Sequence, residues 1–288
     1  MVRSAHSGRR TGYHFCGVQS DPEPHPVTVD SQTHQSAERG FGLVELMIAL
    51  TLGLVLVLGV VQVFVASNRT FNVQQHASAL QEDARFVLSR LSSELRMVNM
   101  YGCLNLSRLP QSIQDDLPGA FDNPIGYAGG VLTVITADPN NQVFVSNTTA
   151  SVSHYGAQWL IATNCRDQLR IASSGDVNVQ AGDILIPLRQ LEYRVQDNAL
   201  QVRTNGVGNF ETLITGVADL DVSFGLASTP GERVVDGNYV SSVASSDFNR
   251  IRSVRLVLQL SDSPANTSNA QVKTQEYSLV AALRNRMN

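Results

Sequence analysis

Apolar and polar positions are spread very unevenly along this chain. Residues 1–40 are polar, rich in Ser, His, Pro and Arg, and show no periodic apolar pattern. From Leu46 to Ala66 there is no charged residue, and the run reads LMIALTLGLVLVLGVVQVFVA. Its 21 residues, at about 1.5 Å each, come close to the roughly 30 Å of a bilayer core. A buried helix of a soluble protein would keep a polar face for water, and this run has none. A removable secretory signal has a shorter apolar stretch closed by small residues, whereas this one ends Phe64-Val65-Ala66. The pattern predicts an uncleaved membrane span.

The periodicity changes beyond Asn68 but stays helical. Ala84, Val87, Leu88, Leu91, Leu95 and Val98 recur at i, i+3, i+4, i+7 spacing, while Glu82, Asp83, Arg85, Arg90 and Glu94 take other positions. One face of this helix is therefore expected to pack on a globular domain. No proline lies between Pro26 and Pro110. A single helix from Phe41 to about Val98, roughly 87 Å long, is thus allowed. Gly53 and Gly59 permit local bending but form no GxxxG pair.

After Asn99 the chain turns to short β-type runs bounded by Gly, Pro, Asn and Asp. Val131–Thr136, Gln142–Ser146, Trp159–Thr163 and Asp183–Pro187 read as separate strands. Leu191–Val195 and Ala199–Arg203 flank Gln196-Asp197-Asn198 as a hairpin. Apolar and polar residues alternate over Asp219–Phe224, and Val254, Leu256, Leu258 and Leu260 share one face of the next strand. Gln275–Ala281 is the last predicted strand, and 104–185 carries no recognisable motif. A long helix laid on such strands is an α+β arrangement, antiparallel in its β part.

Composition narrows the chemistry. The formal net charge is −4, and from Asn99 onward 13 Arg+Lys face 17 Asp+Glu, which is poor material for nucleic-acid binding. Arg250, Arg252 and Arg255 form the only dense basic group there, with Arg252 on the side of Val254. Lys273 is the only lysine and has no glycine-rich loop before it, so a phosphate-binding P-loop is excluded. After residue 40 only His76 and His154 remain, too few for an HExxH or multi-histidine metal site, and no GxSxG elbow occurs. Asp219 and Asp221 on one strand face are solvated acids, Asp236-Gly237-Asn238 is a turn, and Trp159 belongs to a core. No catalytic residue, metal set or cofactor motif emerges.

Glu45 stands out at the front of the span. A carboxylate at mid-membrane costs on the order of 2.5–3.5 kcal/mol. Two readings are open on physics alone. Either Glu45 sits at the interface, or a cation from another chain meets it inside an assembly.

Arg39-Gly40-Phe41-Gly42-Leu43-Val44-Glu45-Leu46-Met47-Ile48-Ala49-Leu50 resembles the class III signal of type IV pilins and type II secretion pseudopilins. That signal joins a basic residue, Gly, then Phe opening an apolar helix with Glu as its fifth residue. The resemblance implies cleavage between Gly40 and Phe41 by a membrane prepilin peptidase and N-methylation of the new Phe41 amine. It implies that Glu45 pairs with the Phe41 amine of a neighbouring subunit, an opposite charge that makes a carboxylate tolerable at low dielectric. Gly42 stands where many members have Thr, and the 40-residue leader is long. A start at Val29 would leave a short one.

LEYRVQDNALQVR, LITGVADLDVSFG, VDGNYV and DFNRIRSVRLVLQLS, within roughly 191–262, look like the C-terminal half of PilW-type minor pilins. The absence of a proline in the span also suits a minor rather than a major pilin. What this resemblance implies is a leader at 1–40, a pilin helix at 41–98 with its span at 42–66, and a periplasmic β-rich domain at 99–288. The implied function is structural, priming or capping the filament at its tip from a single-pass inner-membrane position with a cytoplasmic N-terminus. The partners are other minor pilins, the major pilin, the prepilin peptidase and the inner-membrane assembly platform. A J-like pseudopilin of type II secretion is the runner-up, and a tip adhesin or DNA-binding subunit a third reading.

Cys16 lies in the leader, leaving Cys103 and Cys165 beyond the span. In the oxidising periplasm two such thiols are expected to form a disulfide. It would staple the end of the helix to the sheet and enclose 104–164.

Overall fold

The structure, a computed structural model, describes residues 40–104, 106, 109–138, 143–144 and 149–284. Residues up to Arg39, the expected leader with Cys16 and Val29, lie outside the described residues, as do the ends of the expected strand Gln142–Ser146. The chain divides into two compact units, one up to Leu58 and one from Gly59.

Helix α1 (Leu43–Met97) opens the described chain and is followed by a one-turn helix, α2 (Gln111–Asp115). Thirteen strands follow: β1 (Ile125–Ala128), β2 (Val131–Ala137), β3 (Val143–Phe144), β4 (Thr149–Ser151), β5 (Trp159–Thr163), β6 (Leu169–Ala172), β7 (Asp176–Asn178), β8 (Ile184–Gln196), β9 (Ala199–Thr204), β10 (Glu211–Thr215), β11 (Val217–Leu226), β12 (Ile251–Leu260) and β13 (Gln275–Ala282). The larger sheet runs β1-β2-β8-β5-β6, with β3 and β9 also on β8 and β10 on β9. The second sheet is β11-β12-β13, and β4 pairs β7 separately. Every pairing is antiparallel. The architecture is α+β, a long N-terminal helix packed on antiparallel sheets.

Within the second unit, Leu80, Ala84, Val87, Leu91 and Leu95 of α1 are buried, and Val98 just after it is fully covered. They meet Leu132, Val134, Leu191 and Tyr193 of the larger sheet and Leu220, Val222, Val254, Leu256 and Leu258 of the smaller one in one core. Each fully buried aliphatic side chain contributes roughly 1.5–3 kcal/mol, an upper figure for a compact unfolded chain. Strand β5 is buried at every position. Ile161 serves one small core with Trp159 and Phe121, and Leu160 and Ala162 another with Val177 and Leu185. Burial on both faces is why WLIAT shows no alternation.

Asp183–Pro187 and Leu191–Val195, expected as two strands, are one strand, β8. Proline usually breaks a central strand, but Pro187 is tolerated for a geometric reason. Its carbonyl accepts the Asp138 N–H at 2.8 Å, just past the end of β2. Asp138 faces Pro187 in the continued β2 register, so the one bond proline cannot make is the return bond to Asp138, at the very end of the β2 ladder and short of the β3 pairs. The β8–β9 hairpin turns through Asp197 and Asn198, with φ of 53° and 56°. Both are left-handed, as a type I′ turn requires. The β1–β2 hairpin uses Gly129-Gly130 in the same way. Its dipeptide was the sequence signal for β1, which lies in the stretch without a motif.

Candidate functional site

At the N-terminal end the sequence-flagged residues sit in the open. A side chain at Gly40 or Gly42 would meet nothing within 4 Å. Phe41 is 84% exposed and precedes the first helical turn, which closes with the Leu46 N–H donating to the Gly42 carbonyl at 3.1 Å. Glu45 lies in that first turn and is exposed, where a carboxylate complements the helix dipole. Among the described residues it makes no ion pair. From Leu43 to Val65 every large apolar side chain of α1 is exposed. This helix is long and apolar enough to cross a membrane, and among the described residues that stretch is not buried. An uncovered apolar surface this long demands lipid or other helices.

Further along α1 the helical periodicity misplaces one residue. Glu94, expected away from the packing face, is only 7% exposed. Its carboxylate accepts a hydrogen bond from Arg189 of β8 at 2.9 Å and from the Thr136 hydroxyl of β2 at 3.4 Å. A buried carboxylate survives only when paired in this way. Burial raises the Tyr193 phenol above its ordinary value, the Glu94 carboxylate adds to that, and Arg90 and Arg189 oppose it. No local signal marks Glu94, because its partners lie on strands far away in the chain.

The basic group at the start of β12 is taken apart by folding. Arg252 is 2% exposed, and its guanidinium donates to the carbonyls of Glu232, Asn249, Ile251 and Pro230 at 2.5–3.2 Å. Burial lowers its pKa. Arg250 donates to the Ala227 carbonyl and pairs with Asp247 at 3.1 Å. Only Arg255 of the three is exposed, so no basic surface forms there. Asp219 and Asp221 are exposed on the face of β11 away from the core. Among the described residues no group of three His, Cys, Asp or Glu is placed to hold a metal.

Cys103 and Cys165 form a disulfide with their Cα atoms 5.6 Å apart. Cys165 has a left-handed φ of 62° and its N–H donates to the Thr163 hydroxyl at 3.0 Å. The Asn164 side chain accepts the N–H groups of Arg166, Asp167 and Gln168, holding the turn after β5 in shape. Beside the bridge Tyr101 stacks on Phe121, and Phe121 meets the edge of Trp159, with ring centroids 5.1 and 5.2 Å apart. Trp159 is thus a core residue.

A comparison with protein-family models matches residues 35–61 to the prokaryotic N-terminal methylation motif. No curated protein matches the chain. The matched segment contains Gly40, Phe41, Glu45 and the front of the exposed helix. It marks the N-terminus as that of a type IV pilin-like prepilin, a class processed by prepilin peptidase and assembled with other pilins.

Proposed function

We propose that the chain is a PilW-type minor pilin that primes or caps a type IV pilus at the filament tip. The observation that carries this reading is the Gly40-Phe41 junction followed by Glu45 at the front of an exposed apolar stretch with no other charge up to Ala66. In this proposal residues 1–40 are a leader removed between Gly40 and Phe41, and the Phe41 amine is then methylated. Residues 42–66 hold the protein in the inner membrane with its N-terminus in the cytoplasm, and 99–288 form a periplasmic domain. On assembly the span leaves lipid for a bundle of like helices, where Glu45 meets the Phe41 amine of a neighbour. Pairing offsets the cost of carrying both charges into low dielectric. The role is structural, and its partners are minor pilins, the major pilin and the assembly platform.

The test uses the full chain in its host. Glu45→Ala should insert and be processed, because losing a charge eases insertion, but it should be absent from sheared filaments. Gly40→Leu should leave precursor in the membrane. Wild-type amounts of Glu45→Ala in filaments would sink the pairing role. Loss of secretion with normal piliation in a deletion strain would move the protein to a type II pseudopilus.

A further inference from the structure

Beyond the span, the solvent side of α1 presents a built relief rather than a plain polar face. Arg85, Ser89, Ser93 and Met97, each four residues apart, form a ridge that borders two open grooves. On one side the groove is walled by Phe86, Arg90, Glu94 and Arg189 of β8. On the other it is walled by Ser92, Arg96, Leu279 of β13 and Arg284. Five guanidiniums therefore surround the ridge, against two carboxylates, Glu82 and Glu94, and Arg189 already occupies Glu94. Among the described residues Arg85, Arg90, Arg96 and Arg284 enter no ion pair. A local cationic field stands on a chain whose formal charge is −4.

We infer that this face docks a carboxylate-bearing helix of a neighbouring subunit. The inference rests on the assembly reading above only for the partner's being a fellow subunit. Two grooves parallel to a ridge of i, i+4 positions are the relief into which a second helix packs, and serines on the ridge allow a close approach. Guanidiniums on both rims then select carboxylates, and those of Arg85, Arg96 and Arg284 are exposed and able to bind them bidentately. Phe86, which is 49% exposed, Met97 and Leu279 supply apolar contact at the centre.

Other occupants fit less well. The same face of a second copy would set five guanidiniums against five. Lipid headgroups are out of range, since Arg85 lies about 28 Å along the helix from Ala66 and charge effects fade over about 10 Å. Nucleic acid would leave the apolar centre and Glu82 facing phosphate.

The experiment places photo-reactive p-benzoylphenylalanine at Ser89, at Ser93 or, in the span, at Val55 of the full chain in host membranes. The expected result is crosslinking from Ser89 and Ser93 to a helix of another subunit with two or more carboxylates on one face. Arg85→Glu with Arg96→Glu should cut that yield roughly tenfold, Arg85→Lys with Arg96→Lys should retain most of it, and Lys at the mapped carboxylates should restore it to the Glu variant. Because charge reversal can also harm folding, the wild-type yield is measured against salt as well, and it should fall severalfold toward about 1 M. Crosslinks to nucleic acid, to lipid, to a second copy or to a segment without carboxylates overturn the inference, as does the absence of a crosslink or a yield indifferent to both salt and reversal. Val55 reports separately on assembly. Its failure to reach other spans, with Ser89 still reaching an acidic helix, counts against the assembly reading and not against this face.

Discussion

Glu94 of α1 and Arg189 of β8 lie 95 positions apart in the chain, yet the arginine donates to the carboxylate at 2.9 Å. The pair ties the amphipathic end of the helix to the central strand of the larger sheet. Glu94→Ala strands a guanidinium and the Thr136 hydroxyl. Because the Arg189 side chain is 23% exposed, water softens the penalty to on the order of 2–3 kcal/mol. Replacing both residues by Leu should recover most of that loss. Chemical denaturation of the full chain in detergent micelles measures it, and a double variant no better than Glu94→Ala would show that the charge pair is not the source.

Arg252 predicts a loop effect. Its guanidinium gathers carbonyls from Pro230, Glu232, Asn249 and Ile251. Arg252→Met leaves those acceptors without their donor and should cost about 3 kcal/mol. Limited proteolysis should then cut first between Ser228 and Asn249, and an unchanged cleavage pattern would contradict the anchoring role.

Asp83 predicts a pH effect. Burial first, and the neighbouring Glu82 second, raise its folded-state pKa above the ordinary 3.8. A raised carboxylate contributes stability that is present below its unfolded pKa and is lost as pH rises through the folded value. Asp83→Asn should therefore raise the melting temperature at neutral pH and give no gain near pH 3. Equal gains at both would assign the effect to packing instead.

The disulfide predicts a loss on removal. Cys103 and Cys165 are separated by 62 positions, and the chain-entropy model gives such a loop about 4 kcal/mol, a model-dependent upper figure. Cys103→Ser with Cys165→Ser should lower the denaturation midpoint accordingly. In the protein purified from its host, thiol labelling under denaturing conditions should find two more free thiols after reduction than before it.

What residues 40–284 owe to local sequence and what they owe to the fold separates cleanly by the range of the interactions. The sequence by itself determined the uncharged stretch Leu46–Ala66, the Ala84-to-Val98 packing stripe, the turn at Asp197-Asn198 and the alternation of β11 and β12. Each of these is a pattern over a few residues, set by backbone geometry and by which side of one element meets water. The class III segment was legible for the same reason, since its motif is a short stretch around Gly40, Phe41 and Glu45. Tertiary structure alone decided that Glu94 is buried, because a carboxylate joins a packing face only when partners such as Arg189 and Thr136 arrive from distant strands. It decided that β8 continues through Pro187, which depends on where β2 and β3 stop. It also dismantled the Arg250–Arg255 group and gathered Arg85, Arg90, Arg96, Arg189 and Arg284 around one ridge. Charges that look clustered in the chain or scattered along it become neighbours only through the packing of α1 between β8 and β13.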